Sequence, residues 1–190
     1  MRYRPEHKAE VHQKIVKDAS SRVRAEGLNG AAVAAVMRDT GLTHGGFYKH
    51  FGNKDELVME SLRAFQDIGD KLVRAAEESH SEAPWKAIVK CYLSLEYCDH
   101  AERGCPLPAL APELARVEET MKSQVFAELV KYRSRMLPFM PGRRIADKER
   151  AFFAIFSMMI GAVEIARMMP DRAGQEKVLS STREFLLSSV

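Results

Sequence analysis

The sequence predicts an all-α protein built as two units, a three-helix unit over residues 1–53 and a larger helical unit over residues 54–190. Two observations lead there. Apolar residues recur at helical spacing from end to end, whereas alternating apolar runs bounded by turn residues, the mark of strands, are missing. Charge also divides the chain. Residues 1–54 hold ten Lys or Arg against five Asp or Glu, a net of +5, and the remainder holds 19 against 21, a net of −2. Four of the six histidines lie in the first part as well. A basic module joined to a body with other work is the pattern of polyanion binding, although a merely solvated basic helix carries the same charge.

The elements follow in order. The first helix starts near Pro5 or Glu6, carries Val11, Ile15, Ala19 and Val23 on one face, and stops at Gly27. A short second helix spans about Ala31–Arg38, with Val33, Val36 and Met37 as its apolar side. Asp39-Thr40-Gly41 makes a tight turn. Thr43 is the expected N-cap of a third short helix whose Phe47 and Phe51 point to the same core. Asn53 then caps a long helix, about Lys54–Ser79, with Glu56 in capping-box position. Further helices are expected over about Ala83–Asp99, Leu107–Leu114, Val117–Leu137, Ala146–Met169 and Gly174–Ser189, broken by segments of turn chemistry. Ile155, Met159, Ala162 and Ala166 stripe one of the last two helices, and Val178, Thr182, Phe185 and Ser189 the other. Such stripes either complete the monomer core or meet a second copy.

Composition narrows the class. With 46% hydrophobic and 29% charged residues the chain is globular. No basic segment followed by an apolar stretch opens it, so no secretory signal is expected. The longest nearly uncharged apolar run, Ala151–Val163, has 13 residues, against the roughly 20 that a bilayer requires. Cys91, Cys98 and Cys105 are too few, and odd in number, for a disulfide framework. The expectation is a soluble, cytoplasmic protein with no membrane partner and no cofactor.

The segment Thr43-His44-Gly45-Gly46-Phe47-Tyr48-Lys49-His50-Phe51 carries the functional argument. Glycine costs a helix interior about 1 kcal/mol relative to alanine, so two in succession make sense where the backbone must approach something large. A helix that begins at Thr43 offers His44, Gly45 and Gly46 at the end that a recognition helix presents to the major groove. With few side chains left to read bases, His44 is the main candidate for a base-edge contact, helped by Arg38 and Lys49. Tyr48, His50 and Lys54 bring donors for phosphates, Lys54 from the first turn of a helix, where free amides also favour an anion. Packing against the following helix is the alternative for Tyr48 and His50. Arg2 and Arg4 form a basic arm able to reach the minor groove or the backbone.

These residues, with the Gly27 stop, the Gly41-Leu42-Thr43 turn and Asn53-Lys54-Asp55-Glu56-Leu57, resemble the DNA-binding domain of the TetR family of bacterial transcriptional regulators. Gly104-Cys105-Pro106-Leu107 and Leu110-Ala111-Pro112-Glu113-Leu114 are similar to a segment in one branch of that family, which also tends to carry the THGGFY form. The resemblance implies a helix-turn-helix followed by a helical ligand-binding and dimerisation domain. It further implies a homodimer on a roughly palindromic double-stranded operator, its recognition helices about 34–36 Å apart or somewhat more. A small-molecule effector in the C-terminal domain would change that spacing and release DNA. The chain departs from the family at the second helix, usually opened by Ser or Thr. Ala31 and Ala32 stand there, a missing cap worth about 1 kcal/mol unless Asn29 supplies one.

For the effector, Trp85 and Phe156, with Phe152 and Phe153, are candidates to line an apolar pocket, and core packing is the alternative for each. Cys105, just before a helix start and near Arg103 and His100, is a candidate sensor of oxidants or electrophiles, or a small buried hydrophobe. Cys91 and Cys98, seven apart on one expected helix, lie on nearly the same face and are candidate partners for it or simply core. Cys98, His100 and Cys105 match no zinc spacing, so no metal is expected. A Cys/His enzyme is the rival from another class, but phosphate loop, nucleophile elbow and paired-carboxylate motifs are missing and no enzyme is expected. An architectural DNA binder without effector is a third reading.

Overall fold

A computed structural model describes residues 5–62 and 65–189 of the chain. Among them the architecture is all-α, with ten α-helices: α1 (Pro5–Glu26), α2 (Val33–Asp39), α3 (Lys54–Leu62), α4 (Phe65–Glu78), α5 (Trp85–Tyr92), α6 (Leu95–Asp99), α7 (Leu107–Leu114), α8 (Glu119–Met136), α9 (Ile145–Met168) and α10 (Arg172–Ser189). The Arg2 and Arg4 arm, and the junction at 63–64 that would make Lys54–Ser79 one helix, lie outside the described residues.

The N-terminal elements follow the expected plan, with physical reasons visible. Ile15, Ala19 and Val23 bury the predicted stripe of α1. The helix ends where Gly27 takes φ +75°, a left-handed conformation that glycine adopts without steric cost. Gly30 is needed for another reason, since a Cβ there would sit 2.4 Å from the Arg22 carbonyl oxygen. α2 starts at Val33 without a side-chain cap, and Asn29 contributes its backbone carbonyl to the Ala32 N–H at 2.9 Å rather than a side-chain cap. The turn after α2 is fixed by Gly41 at φ +75°, by the Thr40 hydroxyl donating to the Val36 and Met37 carbonyls, and by Lys14 Nζ donating to the Thr40 carbonyl at 3.0 Å. The third element, His44–Lys49, is a 3₁₀ helix rather than an α-helix. Thr43 has the extended backbone of an N-cap, but its hydroxyl caps nothing. At α3 the Asn53 side chain accepts from the Glu56 N–H at 2.9 Å, and the Glu56 carboxylate accepts from the Gly52 N–H at 2.6 Å, a capping box displaced by one residue.

Two hydrophobic cores result. The smaller joins Ile15, Ala19, Val36, Met37, Phe47, Phe51 and Leu57. The larger runs through the rest of the chain and reaches back to Val23, Ala31, Val58 and Leu62. α1 and α3 therefore contribute to both. A polar tie joins the same regions: the Glu113 carboxylate on α7 accepts from the Leu28 N–H at 3.1 Å, just beyond the end of α1.

In the C-terminal part α7 has the predicted bounds, and α8 to α10 lie within two residues of theirs. The expected helix over Ala83–Asp99 is two helices. Leu93 leaves helical geometry, and the Ser94 side chain caps α6 by accepting from the Tyr97 N–H at 3.1 Å while donating to the Cys91 carbonyl at 2.9 Å. Cys91 and Cys98 thus occupy different helices. α9 has 24 residues and is long and apolar enough by composition to cross a membrane, yet it buries Phe152, Ile155, Phe156, Met159, Ala162, Val163 and Ala166 within the protein core.

The two stripes on the last helices separate. Ile155, Met159, Ala162 and Ala166 are core, whereas Val178 and Thr182 are only partly buried and Phe185 is 57% exposed, Leu179 and Leu186 forming the core face of α10. On α9 the outward face carries Ala154, Met158, Gly161, Ile165 and Met168. Both faces follow the alternating three-and-four spacing of a helix-packing seam, and among the described residues nothing lies within 4 Å of where a Gly161 Cβ would be.

Gly30→Ala places a methyl against a backbone carbonyl that α1 holds in place. The substitution is expected to cost about 1–3 kcal/mol, read as a lower urea midpoint with an unchanged slope.

Candidate nucleic-acid interface

The His44–Lys49 helix is held from beneath and open above. Phe47 is buried and its ring stacks on Phe51 at 5.3 Å, anchoring the element to the small core. Leu42 N–H donates to the Met37 carbonyl at 2.8 Å and Gly46 N–H to the Thr43 carbonyl at 2.9 Å, which fixes the approach from α2. Thr43, His44, Gly45, Tyr48 and Lys49 all face solvent, as does Lys54 at the first position of α3. Tyr48, 67% exposed, touches the Phe47 ring only edge-on at 5.3 Å, which leaves its hydroxyl end outside the packing. Arg38 is exposed beside Asp39 at 3.4 Å. Asp39 is in turn held by Arg22 at 2.6 Å, so the one acidic group in the turn is balanced from within.

Gly45 and Gly46 differ from the other glycines of this region. Gly27 and Gly41 need their positive φ, and Gly30 is sterically enclosed. Gly45 has nothing within 4 Å of where a Cβ would stand, and Gly46 would make only ordinary contacts with Met37 and Thr43, the nearer at 3.5 Å. Neither has a positive φ. The fold therefore tolerates side chains at both positions, and the sequence spends two glycines on a surface that folding does not require to be bare.

His50 is half-buried, its ring lying 5.9 Å from that of His12, and its Nδ1 is enclosed without a hydrogen-bond partner. Burial, followed by His12, Lys8 and Lys49, holds its imidazole below the ordinary value of 6.5. The neutral ring is thus favoured near neutrality, in surroundings whose nearby groups are cationic or neutral. His12 Nε2 donates to the Glu60 carboxylate at 2.8 Å, and its ring stacks on Phe51 at 4.6 Å. His50 thus packs beside His12 and Phe51, as the packing alternative has it.

With this geometry in hand, comparison with known proteins becomes specific. Residues 15–60 match the family described as bacterial regulatory proteins, tetR family. That match is confined to about a quarter of the chain near its N-terminus, the segment that holds α2 and the His44–Lys49 helix. The chain is 29% identical over 90 residues to the HTH-type transcriptional regulator TtgR of Pseudomonas putida, and that match spans 47% of this chain and 43% of the relative, under half of its length. A TetR-family regulator from Cytophaga hutchinsonii superposes with a TM-score of 0.74 at 17% identity over 98% of this chain and 97% of that one. Another from Chloroflexus aurantiacus gives 0.74 at 20% identity over 96% and 97%. These two likenesses extend the shared fold beyond the tetR-family module to the C-terminal helices.

The C-terminal candidates divide. Trp85 is buried in the large core, with Lys86 Nζ 5.3 Å over its ring. Phe156 is also buried, but it forms one wall of an apolar pocket of about 200 Å³ between α8 and α9, together with Phe152, Phe153 and Tyr132. Cys105 corrects the expectation of an activated thiolate. It is 2% exposed, and burial pushes its thiol up, outweighing the Tyr92 hydroxyl, the Leu107 N–H, Arg24 and Arg167, which all act the other way. The amide groups at the start of α7 do favour a thiolate, but desolvation is the larger effect. Its own N–H donates to Tyr97 Oη at 2.7 Å. His100 is matched to Glu102 at 3.1 Å and Asp99 to Arg172 at 2.5 Å. Among the described residues no group of three His, Cys, Asp or Glu has the arrangement of a metal site.

Two features carried no local signal in sequence. Glu113 reaches Leu28 across 85 positions, a pairing visible only once α7 is docked on α1. Arg133, which edges the apolar pocket, reads in sequence as one more charge on an amphipathic helix.

A maleimide reagent applied to the native protein is expected to modify Cys91 first, the only partly exposed thiol of the three. Cys98 and Cys105 should become reactive only on unfolding, as followed by peptide mass analysis. Prompt labelling of Cys105 in the folded state would restore the sensor reading.

Proposed function

We propose that the chain is a ligand-responsive, DNA-binding transcriptional regulator. It acts as a homodimer on a two-fold symmetric operator, as a repressor released by a small molecule bound in the C-terminal domain. Residues 1–53 form the DNA-binding domain and 54–190 the ligand-binding and dimerisation domain. The observation that carries the reading is the bare Gly45–Gly46 surface, unneeded by the fold and flanked by exposed Arg38, His44, Lys49 and Lys54. Such a surface lets a backbone approach a groove edge closely, as the tetR-family match at 15–60 supports.

In this reading His44 reads a base edge, with Arg38 and Lys49 beside it. Thr43, Tyr48, His50 and Lys54 hold phosphates and set the register. A phosphate beside His50 would oppose the burial and, after it, the His12, Lys8 and Lys49 neighbours that together hold its imidazole down. The dimer forms through the outward faces of α9 and α10, where Gly161 permits close helix approach and Ile165, Met168 and Phe185 supply apolar area. The Glu113 bond to the Leu28 N–H links α7 to the end of α1, so a shift of α7 on ligand binding moves the DNA-binding domain. Allostery of this kind requires only that the ligand prefer one of two dimer geometries. The tetR-family match and the fold neighbours favour a regulator over an enzyme.

Two experiments test the proposal. Duplexes enriched from a random pool by the purified protein should share a two-fold symmetric motif. Against them Gly45→Ala is expected to weaken binding at least about tenfold while leaving thermal stability unchanged. Lys54→Ala should weaken binding to all sequences and lower the salt slope by about 1. Absence of any enriched motif, or a Gly45→Ala protein that binds normally, would sink the DNA-binding reading. Separately, Phe185→Glu places a charge on the α10 seam and should convert a dimer to a folded monomer in sedimentation, with loss of operator affinity; a dimer that persists would move the interface elsewhere.

A further inference from the structure

The pocket between α8 and α9 has a chemistry of its own. Its walls are Leu107, Phe126, Phe152, Phe153 and Phe156, and its volume is about 200 Å³. A dry cavity of about 150 Å³ lined by Leu, Ile and Phe is enough for benzene, so this one has room for a substituted single ring. Arg133 on α8 supplies the charge. Its Nη1 lies 3.3 Å from Glu149 Oε1, and its guanidinium stands 5.9 Å from the centre of the Phe153 ring. Its Nε–H is enclosed and has no acceptor. A buried N–H without an acceptor is costly, and an aromatic wall cannot provide one. The Ser157 hydroxyl is the other polar group at the mouth.

We infer that this pocket binds a small aromatic monocarboxylate, its ring against Phe152 and Phe156 and its carboxylate accepting from the Arg133 guanidinium. Charge-assisted bonds from a guanidinium to a carboxylate are among the stronger and more directional ones, and offset or edge contacts with the phenylalanine rings orient the aromatic part. The assignment deepens the regulator reading, on which it rests for its effect on DNA, by naming the effector class. The larger cleft of about 940 Å³ between α3 and α8 makes no comparable demand. Three of its five carboxylates already have partners in the chain, Glu56 with the Gly52 N–H at 2.6 Å, Glu60 with His12 at 2.8 Å and Glu128 with Lys131 at 2.7 Å.

The pocket also touches the element that carries the interdomain tie. Leu107 opens α7 at the pocket wall, and Glu113 near the other end of the same eight-residue helix holds the Leu28 N–H. A ligand that displaces Leu107 therefore acts on the helix that steadies the end of α1.

The test is calorimetric titration of the full chain, without DNA, with benzoate and with its neutral counterpart benzyl alcohol. Benzoate should bind saturably, one per chain, and benzyl alcohol at least about tenfold more weakly. Arg133→Gln should remove that preference, bringing benzoate down to the alcohol. Ser157→Trp, a change at an exposed position that fills the mouth, should abolish binding of both and guards against a misfolded Arg133 variant. Equal affinities for acid and alcohol, an unchanged Arg133→Gln protein, or no heat up to about 10 mM benzoate, where binding is too weak to be specific, would overturn the assignment. Benzoate uptake by a chain that selects no DNA would overturn the regulator reading and leave the site standing. Operator binding with no benzoate uptake would overturn the site alone.

Discussion

Helix α1 passes from one hydrophobic core into the other, and the arrangement of the molecule depends on that sharing. Ile15 and Ala19 are sealed in the small core with Phe47 and Phe51, while Val23, about one turn past Ala19, lies in the large core. α3 repeats the pattern with Leu57 on one side and Val58 and Leu62 on the other. Burying a Val, Leu or Ile side chain is worth about 1.5–3 kcal/mol, so rotating the N-terminal module as an independent body would expose several such side chains at once. A flexible linker would impose no such cost. The module is therefore carried by the C-terminal helices, and what moves those helices moves the module.

Polar groups refine this apolar junction. Glu113 satisfies the Leu28 amide just after α1 ends at Gly27, where a helix leaves carbonyls and the following chain short of partners. Arg24, buried one turn earlier, has its guanidinium held below the ordinary arginine value by desolvation, against the opposing pull of Asp67, Tyr97 and Cys105. Charged and hydrogen-bonded groups at an otherwise apolar boundary fix orientation more than they add stability. α7 is the common member: it offers Leu107 to the aromatic pocket and Glu113 to the end of α1.

The sequence disclosed what rests on local chemistry and hid what rests on docking. The Gly27 stop, the Gly41 turn, the Asn53–Glu56 cap and the burial of Phe47 and Phe51 all follow from neighbours in the chain, and all are found. The break at Leu93–Ser94 went unread because apolar spacing continues through it, and only the Ser94 cap marks it. The His44–Lys49 element is 3₁₀, a distinction periodicity does not make over six residues. Cys105 shows the limit most plainly. Its position before a helix suggested a lowered pKa, but it is sealed in the large core, and that burial raises its pKa against the Tyr92 hydroxyl, the Leu107 N–H and the two arginines. Of the candidate DNA residues, exposure was legible from the pattern of charges and glycines. The reason the glycines matter, that the fold itself leaves room for side chains there, needed coordinates.

On the regulator reading, a recognition element that gives up two side chains to close approach has few left for direct readout. Each good base contact discriminates by about 1–3 kcal/mol, and His44, Arg38 and Lys49 are the groups within reach of that role on one module. Discrimination must then be doubled by a second copy, which contributes the same contacts at a fixed distance. Specificity becomes a property of spacing as much as of side chains: phosphate contacts from Tyr48, His50 and Lys54 lock each half into register, and only a dimer of the right geometry satisfies both halves at once. That dependence is what makes release by a small ligand feasible. A change too slight to disturb any single base contact still removes the simultaneous fit, and an effector held beside Arg133 needs only to favour the other geometry of the α9–α10 pair and of α7 to do so.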